Sequence, residues 1–281
     1  MAEDRIERYQ KGHDALVLVD HDGTAMDTME VKHRRCFAPC LIEEWSLEPW
    51  ADEVMESWLQ INLYSAHRGC NRFEALAIML NEVDLRFRPV AGVDVLRDWV
   101  DHAKERSNDA LRRQITQTGH TILCKALAWS NAVDRQVREL TIDDLLPFPG
   151  AAEGVTAAHA QCDVIVLSGA GRAETENEWR YYGMDRDTDL TLGQEDGTKE
   201  VCLRALLAKG YDLRRVLLVG DDLGDAELAA ANGIGFYPVL VRQEAGSWME
   251  FASTALPLFL AGEYAEYGEM KRQLFEEGLQ V

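Results

Sequence analysis

The sequence predicts an α/β protein, and two patterns in its apolar residues carry this prediction. Short apolar runs bounded by Gly, Asp or Ser recur along the chain, and segments of helical period separate the later ones. Strands that alternate with helices form βαβ units, in which helices cover both faces of a parallel sheet. One long interval breaks the alternation and is helical throughout. We therefore predict a Rossmann-like parallel-sheet core with an inserted all-helical domain.

Five apolar runs are predicted strands, and they are short, as buried parallel strands usually are. The helical segments between the later runs are Ala173–Tyr182, Lys199–Lys209 and Asp225–Ala231. The predicted strands are Ala15–Val19, Asp163–Leu167, Arg215–Val219 and Ile234–Val239, with a weaker one at Asp189–Leu192.

Residues 29–145 contain no strand-like run, so they are predicted to form a separate helical domain inserted after the first strand. The motif Pro147-Phe148-Pro149-Gly150 marks the return to the core, because the prolines end one helix and begin the next. The predicted helices are Met29–Trp45, Ala51–Tyr64, Arg72–Asn81, Val93–Glu105, Asp109–Gln117 and Ile122–Leu140.

The core domain then consists of residues 1–28 and 146–281. Its last part, residues 243–281, carries aromatic residues such as Trp248, Phe251 and Tyr264 among acidic ones. This pattern predicts an extra tail of two amphipathic helices that pack on the core or on another subunit. A monomer and a homodimer are both compatible with it.

The composition narrows the class of partner and the compartment. A formal net charge of −20 over 281 residues argues against nucleic acid or an anionic membrane as the partner. The six cysteines form no CxxC pair and are expected to be reduced thiols. The amino-terminal segment lacks an apolar signal region, and no apolar run is long enough to span a bilayer. We expect a cytoplasmic enzyme.

The most informative motif is the run from Val17 to Thr24. An apolar strand there leads into Asp20, His21 and Asp22, and a Gly-Thr turn follows. Side chains alternate along a strand, so the two carboxylates leave it on the same side. Two like charges this close repel each other unless a cation or a shared proton lies between them. The motif therefore predicts a metal site.

The other polar clusters also follow predicted strands. In an open parallel sheet, ligands bind beyond the carboxyl ends of the strands. Carboxylates for a cation, a hydroxyl and backbone amides for an oxyanion, and a lysine point charge together indicate a phosphoryl site. These clusters are Ser168-Gly169, Lys199 at the start of a helix, and the acidic group Asp221, Asp222 and Asp225.

Together these residues resemble the four motifs of the haloacid dehalogenase superfamily, whose members are largely aspartate-nucleophile hydrolases. The first motif is VLVDHDGT, the second is VIVLS ending at Ser168, the third is Lys199, and the fourth is VLLVGDDLGD. Their order and their positions after strands agree with the family. The resemblance favours the branch of phosphoglycolate phosphatase and β-phosphoglucomutase, which carries a helical cap inserted between the first and second motifs.

The resemblance implies a role for each motif residue. Asp20 would be the nucleophile that forms an aspartyl-phosphate, and one of its oxygens would bind Mg²⁺. Asp22 would be the general acid and base, with its backbone carbonyl as a further metal ligand. Asp221 aligns best with the metal-binding acid of the fourth motif, with Asp225 or Asp222 acting directly or through water. The groups that would hold the phosphoryl oxygens are Thr24, Ser168, Gly169 and Lys199.

The resemblance thus implies a Mg²⁺-dependent phosphatase that acts on a small phosphorylated metabolite, such as a sugar phosphate or phosphoglycolate. Asp22 disfavours the dehalogenase branch, which lacks this second aspartate. A phosphomutase that returns the phosphoryl group to a bound intermediate is the alternative, and a non-catalytic regulatory protein is a further one. In the inserted domain, Arg68 or Arg72 would contact the non-reacting part of the substrate, or Asn71 would simply cap a helix in a solvated loop.

Purely structural roles also fit several of these residues. Asp222 or Asp225 could cap the helix after the fourth motif, Ser168 could cap the helix that follows it, and Lys199 could be a surface lysine. His21 alternates with the two aspartates along the strand, so we predict that it points away from the metal and has a structural role.

Overall fold

The computed structural model describes residues 2–279, with side chains described from Arg5 onward. Contacts within the chain separate it into two compact units. The first combines the segment up to Met29 with the segment from Ile142 onward, and the second is Glu30–Thr141. In the described residues, no helix has both the length and the apolar character needed to cross a membrane.

The first unit is built on a five-stranded parallel sheet. Its strands are β1 (Leu16–Val19), β4 (Asp163–Leu167), β5 (Leu190–Leu192), β6 (Val216–Gly220) and β7 (Gly235–Pro238). They lie in the order β5-β4-β1-β6-β7. The strands β1, β4 and β6 are buried at every residue, as expected for strands covered on both faces. This confirms the predicted α/β fold with a parallel sheet.

A short antiparallel pair, β2 (Met26–Asp27) with β3 (Leu146–Pro147), lies at the junction of the two chain segments. The sequence did not indicate this pair, because two residues are too few to show a period. It matters for the site because β2 begins just after the turn that follows β1. Backbone hydrogen bonds from Ala25 and Met26 to the carbonyl of His21 close that turn at 3.1 and 3.0 Å.

Alternate residues of the central strands build two separate apolar layers. Val17 and Val19 face one layer, and Leu16 and Leu18 face the other. The period of two along β1 thus places helices on both sides of the sheet. The helices of this unit are α1 (Ala2–Arg8), α9 (Ala151–His159), α10 (Arg172–Tyr181), α11 (Lys199–Leu207), α12 (Leu223–Asn232), α13 (Glu244–Glu250), α14 (Leu256–Ala261) and α15 (Tyr264–Leu279).

The carboxy-terminal tail packs on the sheet of its own unit. A π-helical segment, Phe251–Ala255, joins α13 to α14, so residues 244–261 are helical throughout, and α15 follows after Gly262. Trp248 and Phe251 enter one apolar layer, while Phe275 and Leu279 enter the other. The tail therefore completes both layers of the core.

The second unit is helical throughout, with an aromatic core around Trp58, Trp129 and Phe73. Its predicted first helix is interrupted by a π-helical segment, His33–Phe37, and the helix that begins at Arg72 runs on to Arg86. The α-helices of this unit are α2 (Met29–Lys32, which begins at the boundary), α3 (Ala38–Trp45), α4 (Ala51–Leu63), α5 (Arg72–Arg86), α6 (Val93–His102), α7 (Asn108–Thr118) and α8 (Thr121–Glu139).

Candidate active site

The turn after β1 brings the two predicted aspartates to the carboxyl edge of the sheet. Asp20 is only 5% exposed, and its backbone N–H donates to the carbonyl of Val219 on β6. Gly23 has a φ of 79°, so the chain can turn sharply at this position without strain. Thr28 Oγ1 donates a short hydrogen bond to Asp22 Oδ1, whose side chain is 26% exposed. Asp20 is thus buried in the site, and Asp22 lies at its surface.

The acidic cluster after β6 lies beside this turn. Asp222 accepts a 2.8 Å hydrogen bond from the backbone N–H of Asp225 and caps α12, as one of the structural alternatives predicted. Asp225 is 1% exposed, and a Cβ on Gly220 would lie 2.3 Å from its Oδ2. A glycine is required at position 220 because the Asp225 carboxylate folds back over the end of β6.

Lys199 links these two acidic segments. Its Nζ lies 3.0 Å from Asp20 Oδ1 and 2.7 Å from Asp225 Oδ1, and its side chain is 22% exposed. Thr198 caps α11 by accepting from the N–H of Val201, which places Lys199 at the first position of the helix. The ammonium therefore lies between two buried carboxylates, whereas a surface lysine would point into solvent.

Burial and like charges control the protonation of this cluster. Burial raises the pKa of Asp20 to about 6, with Lys199 opposing the shift and Asp221 adding to it. Burial also raises the pKa of Asp225, and Lys199 offsets this only in part. Burial lowers the pKa of Lys199, but Asp20 and Asp225 outweigh that effect and raise it, so the lysine stays cationic. One fixed cation thus faces several carboxylates that repel one another.

Ser168 and Gly169 follow β4 at the same edge of the sheet. Ser168 is buried, and its Oγ accepts a 3.0 Å hydrogen bond from the N–H of Ala170. It does not cap α10, because Gly171 is the residue before that helix. Gly169 is exposed, and a Cβ there would have no neighbour within 4 Å. The space beside the Gly169 backbone would admit a phosphoryl group.

The loop after β4 is tied to the loop that precedes Lys199. Arg172 Nη1 donates to the fully buried Asp196 at 2.6 Å, and the N–H of Arg172 donates to Glu195 at 2.8 Å. A Cβ on Gly193 would lie 2.4 Å from the backbone nitrogen of Arg172, so the two loops are in direct contact. The loop that follows Ser168 and the loop that precedes Lys199 therefore hold each other in place.

Thr24 and Asp221 form a separate contact within the site. Thr24 Oγ1 donates to Asp221 Oδ1 at 2.5 Å, and both side chains are buried. The hydroxyl hydrogen of Thr24 is thus used inside the protein, although the resemblance implied a phosphoryl contact for Thr24. The carbonyl of Thr24 accepts a 2.9 Å hydrogen bond from the indole of Trp248.

His21 is buried in the protein, and its Nε2 lies 3.8 Å from Asp22 Oδ1. Its Nδ1 accepts a 2.9 Å hydrogen bond from the indole of Trp179, and its Nε2 lies 2.9 Å from Glu178 Oε2. His21 is 1% exposed. These contacts give His21 the structural role that the strand alternation indicated.

Arg68 and Arg72 belong to the helical unit and have partners inside it. Arg68 is 5% exposed and donates to the carbonyl of Leu63 at 3.0 Å. Arg72 Nη1 donates to Asp134 at 2.5 Å and to Ser130 at 3.1 Å. Asn71 caps α5 by accepting from the N–H of Phe73. The capping alternative is thus present, and a substrate contact by either arginine remains a prediction.

The donor set fits a hard divalent cation. One carboxylate oxygen each from Asp20, Asp222 and Asp225 can be chosen so that all three lie within 4.8 Å of one another. Asp225 Oδ2 is buried, and among the described residues it has no hydrogen-bond partner. Mg²⁺ prefers carboxylate oxygens, and such a cation would relieve the repulsion among these acids. The sequence ranked Asp221 before Asp222 as a ligand, whereas the structure groups Asp222 with Asp20 and Asp225.

Several residues around the site were not found from the sequence. Most of these side chains contact a residue that is far away in the sequence, so no local spacing could reveal them. Thr28 is the exception, because it lies only six residues after Asp22. The others are Trp248, Arg172, Asp196 and Glu178.

Comparison with known proteins agrees with this architecture at the level of fold. A protein from Bacteroides fragilis described as a haloacid dehalogenase-like hydrolase is 16% identical, with a TM-score of 0.51 over 83% of this chain and 92% of that chain. A haloacid dehalogenase-like family hydrolase from Streptococcus pneumoniae is 10% identical, with a TM-score of 0.49 over 84% of this chain and 90% of that chain. A protein from Lactobacillus plantarum described as a phosphoglycolate phosphatase is 14% identical, with a TM-score of 0.45 over 84% of this chain and 90% of that chain.

No family model and no curated protein matches the chain. The fold assignment therefore rests on the Bacteroides fragilis structure together with the sheet described above. This chain has the haloacid dehalogenase-like fold, which confirms the fold that the motif resemblance predicted.

Proposed function

We propose that this protein is a Mg²⁺-dependent phosphatase of the haloacid dehalogenase superfamily that hydrolyses a small phosphorylated metabolite. The observation that carries the proposal is the ion-paired cluster in which Lys199 lies between Asp20 and Asp225. It lies at the carboxyl edge of the sheet, where such folds bind ligands. The second aspartate, Asp22, favours chemistry on phosphorus over dehalogenation, because the resemblance implies that dehalogenases lack it.

In the first step, an oxygen of Asp20 attacks phosphorus and the bond to the leaving oxygen breaks. Asp22 gives its proton to that oxygen, and the product is an alcohol and an aspartyl-phosphate on Asp20. In the second step, Asp22 takes a proton from water, and the water oxygen attacks the same phosphorus. The bond between phosphorus and Asp20 breaks, which releases inorganic phosphate and restores the Asp20 carboxylate. Thr28 holds Asp22 Oδ1 through its hydroxyl and thereby orients the carboxyl group for both transfers.

The remaining groups bind the charged phosphoryl oxygens. Lys199 supplies a fixed positive charge, and the Ser168 hydroxyl and the Gly169 amide would supply hydrogen-bond donors. Asp20, Asp222 and Asp225 would hold Mg²⁺, and the backbone carbonyl of Asp22 stays a predicted further ligand. When bound, Mg²⁺ would neutralise charge on the transferring phosphoryl group. The net charge of −20 makes these local cations necessary, since the protein as a whole repels a phosphate ester.

The proposal is tested by measuring inorganic phosphate released from a panel of phosphate monoesters with Mg²⁺. Wild-type protein should release phosphate, and Asp20→Asn should not, because an amide oxygen is a poor nucleophile. Asp185→Asn is the matched control, because Asp185 is an exposed aspartate of the same unit. Isomerised sugar phosphate without free phosphate would replace the proposal with a phosphomutase. Turnover of no ester on the panel would favour a regulatory protein.

A further inference from the structure

The carboxy-terminal tail reaches the turn that carries the proposed nucleophile. Trp248 of α13 donates its indole N–H to the backbone carbonyl of Thr24 at 2.9 Å, across 224 residues of sequence. Both residues are fully buried. A buried carbonyl that loses its donor is costly, so this hydrogen bond restrains the backbone of the turn.

The indole is held in one position by its surroundings. A Cβ on Gly154 of α9 would lie 2.5 Å from Trp248 Cε3, so position 154 has no room for a side chain. Gly150, with a φ of +89°, would place a Cβ 3.2 Å from the Cβ of Trp248. The ring of Phe251 packs edge-on at 5.4 Å between centroids. The position of the indole N–H is therefore determined by packing against α9 and the tail.

The helix that carries Trp248 is attached to the same edge of the sheet. Tyr237 on β7 donates its hydroxyl to the carbonyl of Ser247 at 2.6 Å. Ser247 Oγ accepts a 3.0 Å hydrogen bond from the N–H of Leu240, just after β7. Trp248 thus links the segment after β7, through α13, to the turn after β1.

The restrained residue is itself part of the candidate site. Thr24 donates its hydroxyl to Asp221 at 2.5 Å, and it lies two residues after Asp22. A shift of the Thr24 backbone would move this hydroxyl away from Asp221. We propose that Trp248 is a positioning residue of the phosphoryl-transfer site, which acts through Thr24. This inference rests on the proposed function, which it extends to the tail.

The first test compares two variants of the tail. Trp248→Phe removes the indole N–H and keeps an aromatic ring packed at the same position. Tyr264→Phe is the matched control, because it removes another buried donor of the tail, the hydroxyl that binds the carbonyl of Phe236 at 2.7 Å. We expect Trp248→Phe to lower kcat by about twofold to tenfold, the range of one buried hydrogen bond, with KM unchanged. Tyr264→Phe should leave kcat within about twofold. Equal kcat values for the two variants would overturn the inference.

The second test asks whether the effect passes through Thr24. In a Thr24→Val background, the hydroxyl that binds Asp221 is already absent. Trp248→Phe should then have little further effect on kcat, because residues that act as one unit are not additive. Independent, multiplicative losses in the double variant would overturn the route through Thr24.

A third measurement separates this inference from the proposed function. Amide hydrogen exchange of Ala25 and Met26 reports on the turn itself, because both N–H groups donate to the carbonyl of His21. We expect these amides to exchange several-fold faster in Trp248→Phe than in Tyr264→Phe, whether or not the protein turns over any ester. Unchanged exchange would overturn the restraint, whereas an inactive wild-type protein with faster exchange in Trp248→Phe would contradict only the phosphatase proposal.

Discussion

The two ends of the central sheet both bury aspartates, but they treat them in opposite ways. At the amino end, Asp163 begins β4 and is 1% exposed. It accepts hydrogen bonds from the N–H of His13 at 2.9 Å, from the N–H of Gly12 at 3.0 Å, and from the hydroxyl of Tyr211 at 2.5 Å. Burial raises the pKa of Asp163, but hydrogen bonds from Tyr211, Tyr9, the His13 side chain and the Gly12 backbone outweigh it and lower the pKa overall.

At the carboxyl end, Asp20 and Asp225 are also almost inaccessible to solvent, but they lie among other carboxylates. Their pKa values are raised by burial, and Asp225 Oδ2 has no hydrogen-bond partner among the described residues. Asp20 and Asp225 are desolvated more completely than Asp163, and their neighbours are carboxylates and one lysine instead of several neutral donors. The donors around Asp163 stabilise its carboxylate as a structural ion, whereas the repulsion among the carboxylates around Asp20 and Asp225 favours binding of a cation.

The largest expected effect is on catalysis at the carboxyl end. Asp22→Asn should lower kcat by about 10²- to 10⁴-fold, because the variant can no longer transfer a proton. Stabilisation by Mg²⁺ should remain, since the proposed Asp22 ligand is its backbone carbonyl. Phosphate release and the unfolding midpoint with and without Mg²⁺ check both statements. Loss of the Mg²⁺ response would show that the Asp22 side chain is a ligand instead.

At the amino end, the corresponding change should affect stability alone. Asp163→Asn should lower the free energy of unfolding by about 2–3 kcal/mol, because an amide satisfies the surrounding donors poorly. The contribution of Asp163 is present above its unfolded pKa and disappears as pH falls through its lower folded pKa. Urea unfolding of both proteins at a series of pH values measures it. A loss of kcat in the folded variant would break the contrast between the two ends.

The substitution of Asp225 should change stability in the opposite direction. Asp225→Asn should raise the free energy of unfolding without Mg²⁺ by about 1–2 kcal/mol, because it removes a poorly satisfied buried charge. The wild-type protein should gain about 2.7 kcal/mol when Mg²⁺ is present at a hundred times its Kd, and the variant should gain much less. Denaturant unfolding with and without Mg²⁺ tests this. A variant that is destabilised without Mg²⁺ would show that the Asp225–Lys199 pair outweighs the repulsion.

The smallest expected effect is on the pH dependence of kcat/KM. In the proposed mechanism Asp20 must be ionised to attack phosphorus, and its pKa is raised to about 6, so the ionised fraction falls as pH falls through that value. At low Mg²⁺, kcat/KM should fall about tenfold per pH unit below pH 6. At higher Mg²⁺ concentration, kcat/KM should begin to fall at a lower pH, because a nearby cation favours the ionised carboxylate. If the fall in kcat/KM at low pH does not respond to Mg²⁺, the group that titrates is not Asp20.

Much of the fold could be predicted from the sequence because buried parallel strands are short apolar runs with recognisable ends. All five predicted strands agree with the structure to within one residue at each end, and the weak run at Asp189–Leu192 is β5. The helical segment Met29–Trp45 was predicted as one helix, and its π-helical interruption has no local signal. The antiparallel pair β2–β3 was missed for the same reason.

By itself, the sequence determined which residues stand at the carboxyl ends of the strands. A strand has a period of two and a parallel sheet aligns its ends, so Asp20, Ser168 and Asp221 could be placed at one edge without coordinates. Only the tertiary structure decided which of the aspartates has donors and which has charged neighbours. That depends on contacts such as Lys199 with Asp20 and Trp248 with Thr24, which span 179 and 224 residues. No local pattern encodes such contacts, because they form only when separate elements pack together.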